Sequence, residues 1–167
     1  MKKILFIVVA CGLYLSVFSQ ETEKLKPDGK NEIKINLLMS LLSYPDISYE
    51  RNMSHSIGLG LSAGIPLVDN DTKYHIMPYC RFYFGESWIK SFFIETNVAI
   101  LGVKKYYYDS NYTYLNAKIK VDCGLGVAYG YKYVNRSGFI GELFLGLGRS
   151  LENNYYPRIG ISLGKQF

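Results

Sequence analysis

Residues 115–133 read LNAKIKVDCGLGVAYGYKY. Leu115, Ala117, Ile119, Val121, Cys123, Leu125, Val127, Tyr129, Tyr131 and Tyr133 fall on one phase of a two-residue period. Asn116, Lys118, Lys120, Asp122, Gly124, Gly126, Ala128, Gly130 and Lys132 fall on the other. Neighbouring side chains of a strand point to opposite faces, so this stretch reads as one long strand, apolar and aromatic on one face and charged or bare on the other. At about 3.3 Å per residue it is longer than a bilayer core is thick and projects beyond one.

The same texture runs outward from it in both directions. Glu32–Leu42 places Ile33, Ile35, Leu37, Met39 and Leu41 on one phase, and Ser43-Tyr44-Pro45-Asp46 ends it in a tight turn, Pro pre-setting its own backbone angle. Ile47–Met53 follows, then Ser56–Ile65, whose phases are Ile57, Leu59, Leu61, Ala63 and Ile65 against Ser56, Gly58, Gly60, Ser62 and Gly64. Tyr74–Phe84 carries His75, Met77, Tyr79, Arg81 and Tyr83 on its polar phase. Pro78 in that segment cannot donate to a ladder, which predicts a bulge or weakened pairing there. Phe92–Val103 carries Glu95 and Asn97, the loop Lys104–Tyr114 leads into the quoted strand, and Gly138–Gly148 with Glu142 and Tyr156–Phe167 with Arg158 complete the chain. Eight strands joined by short links form an antiparallel up-and-down meander, which closes readily into a barrel.

Which face points inward decides the solvent. In a soluble barrel the apolar face fills the core; in a membrane barrel the arrangement inverts. Glycine occupies positions 58, 60, 64, 124, 126, 130, 146, 148, 160 and 164 of the polar phase, with Ser48, Ser62 and Ser162. Glycine weakens a water-washed strand face, but it suits a narrow eight-strand bore that must mix small side chains with large ones. The other face is nearly unbroken Ile, Leu, Val, Phe and Tyr. The connections at 66–73, 104–114 and 149–155 are longer than those at 54–55, 85–90 and 134–137, the pattern of outer loops and inner turns. The fold class is therefore all-β, an eight-stranded antiparallel up-and-down transmembrane barrel over residues 32–167.

The N-terminus agrees with a cell-envelope address. Lys2 and Lys3 precede the apolar stretch Ile4–Phe18, and Val17-Phe18-Ser19 suits cleavage after Ser19, which makes 1–19 a signal peptide. Lipoprotein processing at Cys11, after Val8-Val9-Ala10, is the rival; it strands Leu13–Phe18 on the mature chain. Residues 20–31, polar and holding Pro27 and Gly29, form a flexible periplasmic lead-in. With 49% hydrophobic and 16% aromatic residues among 167, the chain is too rich in large apolar groups for disorder, and past residue 19 no apolar run is long enough for a spanning helix. The formal charge of +5, two of it from the leader, is too mild a balance to argue for a nucleic-acid binder, which carries a concentrated basic face.

Asn31-Glu32-Ile33-Lys34-Ile35-Asn36-Leu37-Leu38, Ile47-Ser48-Tyr49-Glu50-Arg51 and Gly160–Phe167 carry a family resemblance. The chain resembles the small eight-stranded OmpA/OmpX-like barrels of the Gram-negative outer membrane, and more closely a barrel-domain family of unassigned function. Ile159, Ile161, Leu163 and terminal Phe167 resemble the outer-membrane assembly signal, with Lys165 departing from its alternation. The resemblance implies outer-membrane lipid and the barrel-assembly machinery as partners, periplasmic N- and C-termini, and no catalytic residues.

Chemistry is sparse. The inward set holds Glu32, Glu50, Glu95, Asp122 and Glu142 against Lys34, Arg81, Lys118, Lys120 and Arg158, which predicts a salt-bridged, plugged lumen, since isolated charges in a narrow bore are costly. A narrow gated pore is the alternative. Tyrosines near segment ends, among them Tyr74, Tyr83, Tyr129, Tyr131, Tyr133, Tyr155 and Tyr156, read as an interfacial girdle. Lys104, Lys105, Tyr106, Tyr107, Tyr108, Tyr112 and Tyr114 form an outer surface for an extracellular protein or glycan. His55 and His75 fall at opposite ends and cannot share a metal, and no oriented nucleophile accompanies His75. Cys80 and Cys123 lie two strands apart, beyond disulfide reach, which predicts unbridged thiols facing lipid. The sequence thus predicts a non-enzymatic outer-membrane barrel without cofactor, structural or surface-interacting. A small gated channel and a soluble barrel binding an apolar ligand are its alternatives.

Overall fold

The computed structural model describes residues 29–85, 89–108, 114–152 and 154–167; the signal segment 1–19, most of the lead-in 20–31 and Tyr112 lie outside the described residues. Eight antiparallel strands follow one another round a closed barrel: β1 (Asn31–Asn36), β2 (Asp46–Asn52), β3 (Ile57–Gly64), β4 (Thr72–Phe84), β5 (Lys90–Tyr108), β6 (Tyr114–Val134), β7 (Phe139–Ser150) and β8 (Tyr155–Gln166). β8 returns to β1 through pairs such as Ile35 with Leu163, which satisfies the edges an open meander leaves bare. Asn31 N donates to Phe167 O at 3.1 Å, so both termini of the barrel meet at one end, the terminal end; the opposite end is the loop end.

Two elements differ from the sequence expectation. β1 does not run to Leu42. It stops at Asn36, whose Oδ1 accepts from Met39 N (3.2 Å) and caps a five-residue helix, α1 (Leu37–Leu41). Asn36 Nδ2 meanwhile donates across the wall to Ile159 O at 3.0 Å, anchoring the break. An amide that serves a helix start and a neighbouring strand together stabilises this exit over continued extension. Ser43, at φ 61°, then turns the chain into β2. Second, Lys104–Tyr108 is strand, not loop. The β4–β5 ladder ends at Thr72 with Val103 and the β6–β7 ladder at Gly124 with Ser150, while β5 and β6 stay paired up to Tyr108 with Tyr114. A two-stranded ribbon therefore stands above the rim, built from tyrosines that favour extended backbone.

Pro78 keeps register. The β4–β5 ladder skips Met77 and Pro78 and resumes at Tyr79 opposite Asn97 without a shift, and the irregularity lies at Thr72/Tyr74 instead. The missing donor weakens pairing without bulging the strand.

The alternation sorts the side chains. Glu32, Lys34, Glu50, Arg81, Glu95, Lys132 and Glu142 are buried inside, whereas Ile33, Ile47, Leu61, Ile94, Val127, Leu145 and Ile161 are exposed on the outer wall. Cys80 and Cys123 are free thiols. Tyr83 and Tyr156, expected in the girdle, share the inward phase of Arg81 and Arg158 and are buried in the lumen; Tyr129, Tyr133 and Tyr155 remain on the exterior. Their phase overrides their place at a strand end. Space for inward rings comes from glycine opposite them. Gly60 pairs with Tyr79 and Gly148 with Tyr156, and at either glycine a Cβ would overlap the facing ring. This is the small-with-large packing of a narrow bore.

Candidate functional site

Three layers fill the lumen from the terminal end to the loop end. The first is apolar: Tyr83, Ile89, Phe93, Val134, Ile140 and Phe144 pack into one cluster. The second is a charge layer. Lys34 Nζ reaches Glu50 at 2.6 Å, Glu142 at 2.7 Å and Glu32 at 3.2 Å. Arg81 contacts Glu50, Glu95 and Glu142, each at 2.9 Å, and its guanidinium lies 4.2 Å from the Phe93 ring centre. Lys132 bridges Glu32 (2.9 Å) and Glu50 (3.4 Å), and Arg158 holds Glu95 at 2.7 Å. Tyr83 donates its hydroxyl to Glu50, and Asn52 Nδ2 donates to Glu32 at 2.7 Å. Each charge has opposite charge and hydrogen bonds around it, the condition under which buried ions are tolerated.

Glu32, Glu50 and Glu142 present oxygens within 4.8 Å of one another, a spacing that could hold a metal ion. Lys34, Arg81 and Lys132 already neutralise all three, so the layer has no charge deficit for a cation to fill.

Of the residues assigned to the lumen from sequence, Glu32, Lys34, Glu50, Arg81, Glu95, Glu142 and Arg158 come together in this layer. Lys118 and Lys120 do not. They have the inward phase, but they lie on β6 above the last residue of β7, where no opposite wall encloses them; both are exposed, and Lys120 pairs with Glu152 at 2.6 Å. Asp122 is buried, yet its Oδ2 has no hydrogen-bond partner among the described residues. Lys132 and Asp46 were missed. Lys132 was legible, being on the polar phase of the quoted strand, while Asp46 hid in the turn after Pro45.

The third layer, at the loop end, centres on Asp46. Ser62 Oγ donates to Asp46 Oδ1 at 2.5 Å; His75 Nε2 lies 3.4 Å from that hydroxyl and 3.6 Å from the carboxylate, and His75 Nδ1 is 3.2 Å from Tyr44 OH. Burial, with Asp46 adding to it, pushes the Tyr44 hydroxyl up to about 12. Serine, histidine and aspartate meet here, but not as a nucleophile and its base. The serine hydrogen goes to the carboxylate rather than the imidazole, Arg158 Nη1 donates to its oxygen at 3.4 Å, and Ser62 is fully buried. Two adjoining pockets open at this end, of about 270 and 280 Å³; Thr72, Leu101 and Tyr156 line both.

The outer-surface residues sit on the ribbon. Lys104 reaches Asp69 at 3.4 Å and lies 5.3 Å from the Tyr106 ring centre, and Tyr106 OH donates to Asp71 at 3.4 Å. Lys105 and Lys120 both bridge Glu152, whose carboxyl their hydrogen bonds hold below the usual range. Tyr107, Tyr108 and Tyr114 are strand residues of the ribbon. Ile161 and Leu163 of β8 and the terminal Phe167 lie exposed on the outside, with Ile159 of β8 half-buried.

Residues 4–162 match the model of a family described as "Protein of unknown function (DUF3575)". The chain belongs to that family. No curated protein matches the chain significantly. Its fold is similar to the crystal structure of the N-terminal beta-barrel domain of Pseudomonas aeruginosa OprF, with a TM-score of 0.63 at 15% identity, over 82% of this chain and 96% of that chain. At that identity the likeness is one of fold.

Proposed function

We propose that this family member is an outer-membrane barrel with both barrel termini periplasmic and its loop end outside, serving a structural or surface-interaction role. Its partners are outer-membrane lipid, the barrel-assembly machinery that reads Ile159, Ile161, Leu163 and Phe167, and an extracellular protein or glycan met by the β5–β6 ribbon. One observation carries the reading: charges fill the inside while leucine, isoleucine, valine and phenylalanine cover the outside. In water that arrangement exposes apolar surface far beyond what a soluble monomer carries; in a bilayer it is the stable one. The ribbon supports the surface role, since it lifts tyrosines and lysines above the rim. The filled lumen supports a non-conducting, non-enzymatic barrel, with Arg81, Lys34 and Phe93 closing its middle.

The test is folding without boiling. In detergent or lipid the chain is expected to give a β-rich species whose unheated gel band migrates apart from the boiled one, and in planar bilayers it is expected to show no steady conductance. A monodisperse, detergent-free soluble species would overturn the membrane reading, and regular conductance steps would overturn the closed lumen.

A further inference from the structure

Asp122 is 5% exposed, and its Oδ2 is buried with no hydrogen-bond partner among the described residues. It stands apart from the charge layer, where each acid meets a lysine or arginine. It lines the second loop-end pocket, of about 280 Å³, together with Asp71, Leu101, Val103, Tyr106 and Tyr156. A carboxyl oxygen buried without a hydrogen-bond partner is costly, so this one has room for a donor.

We propose that the pocket takes a small organic ammonium compound whose cationic nitrogen seats on Asp122. The walls select for that chemistry. Tyr106 and Tyr156 commit their hydroxyls to Asp71 (3.4 Å) and Asn97 (2.9 Å), so they offer ring rather than hydroxyl, and aromatic rings attract ammonium groups. Leu101 and Val103 add apolar wall for a hydrocarbon body. Lys104 also lines the pocket, but its ammonium is drawn to Asp69 at 3.4 Å and lies 5.3 Å from the Tyr106 ring centre. A divalent metal fits less well. Among the described residues, the one group of three metal-capable side chains is Glu32, Glu50 and Glu142, away from this pocket. The apolar cluster and the charge layer fill the barrel on the terminal side of the pocket, which lies at the loop end. The inference goes beyond the proposed role and does not rest on it, because the pocket belongs to the barrel whatever its outer wall touches.

The probe is phenethylammonium chloride, titrated calorimetrically into the full chain in a non-ionic detergent at low salt, with 2-phenylethanol as neutral isostere and magnesium chloride as the metal control. The amine is expected to bind at least tenfold more tightly than the alcohol, and Asp122→Asn to reduce it to the level of the alcohol while keeping the heat-modifiable band. Equal binding of amine and alcohol, unchanged amine binding by a folded Asp122→Asn protein, no binding to folded protein, or an Asp122-dependent response to magnesium alone would each overturn it. Should Asp122→Asn fail to fold, the amine and alcohol comparison on the unaltered chain decides.

Discussion

Arg81 is 1% exposed and touches three carboxylates from three different strands, β2, β5 and β7, so it ties the barrel wall together through its centre. Replacing it by methionine keeps the bulk against Phe93 but strands Glu50, Glu95 and Glu142 near one another. Removing one partner of a buried ion pair costs about 3–5 kcal/mol, mostly the penalty of the charge left behind. Arg81→Met is therefore expected to lower the temperature at which the folded gel band converts to the boiled one by far more than Lys118→Ala, which alters an exposed side chain and should stay within about 0.5 kcal/mol of the parent. Equal effects of the two would mean that the lumen does not hold Arg81. The pair also shows what alternation can tell. Arg81 and Lys118 share the inward phase, and the sequence places both in the bore. A phase says which way a side chain points but not whether a wall stands opposite, and only the height at which β7 ends separates the two.

At the scale of elements, the strand count and strand order were legible because each strand is long enough for its period to show. The ends were not. Asn36 alternates as a polar residue whether it continues a strand or caps α1, and the only local sign of the break is Leu38 on the polar phase. Lys104–Tyr108 read as loop because two lysines open it and Asp109, Ser110 and Asn111 follow, although its tyrosines are strand formers. The resulting ribbon is steadied from the side by Glu152, which binds Lys105 and Lys120 together. Those hydrogen bonds hold the Glu152 carboxyl below its ordinary value. A depressed carboxylate contributes stability that is fully present above its unfolded value of about 4.3 and is lost as pH falls through the folded one. Hydrogen exchange in the ribbon strands is thus expected to quicken below about pH 4, while exchange in the walls of the barrel stays slow. Glu152→Gln should give the quick ribbon already at neutral pH. A ribbon whose exchange ignores both would not be held by this contact.

The molecule as a whole is inside out relative to a soluble barrel, and that inversion sets the sign of a mutation that would otherwise be unremarked. Leu145 lies on β7, 48% exposed, opposite Tyr129 on one side and Ile159 on the other, so apolar neighbours flank it on the outer wall. Were that wall in water, Leu145→Arg would exchange an exposed apolar side chain for a soluble one and change stability by no more than about 0.5 kcal/mol. In a bilayer the same arginine sits at hydrocarbon depth and costs about 2–4 kcal/mol. Leu143, two residues nearer the terminal end, and Leu147, two nearer the loop end, bracket it along the strand, and arginine at either should cost less as it approaches headgroups. Unfolding in urea from lipid vesicles is therefore expected to show the largest loss for Leu145→Arg and smaller losses for Leu143→Arg and Leu147→Arg. Such a depth profile has no counterpart in a water-washed wall, where the three variants would behave alike. The inner charge layer explains why the outer wall carries this burden alone. With Lys34, Arg81, Lys132 and Arg158 committed to their acids, little apolar area is buried inside beyond the two small clusters, and in the proposed membrane setting lipid would supply the apolar phase that a soluble fold keeps in its core.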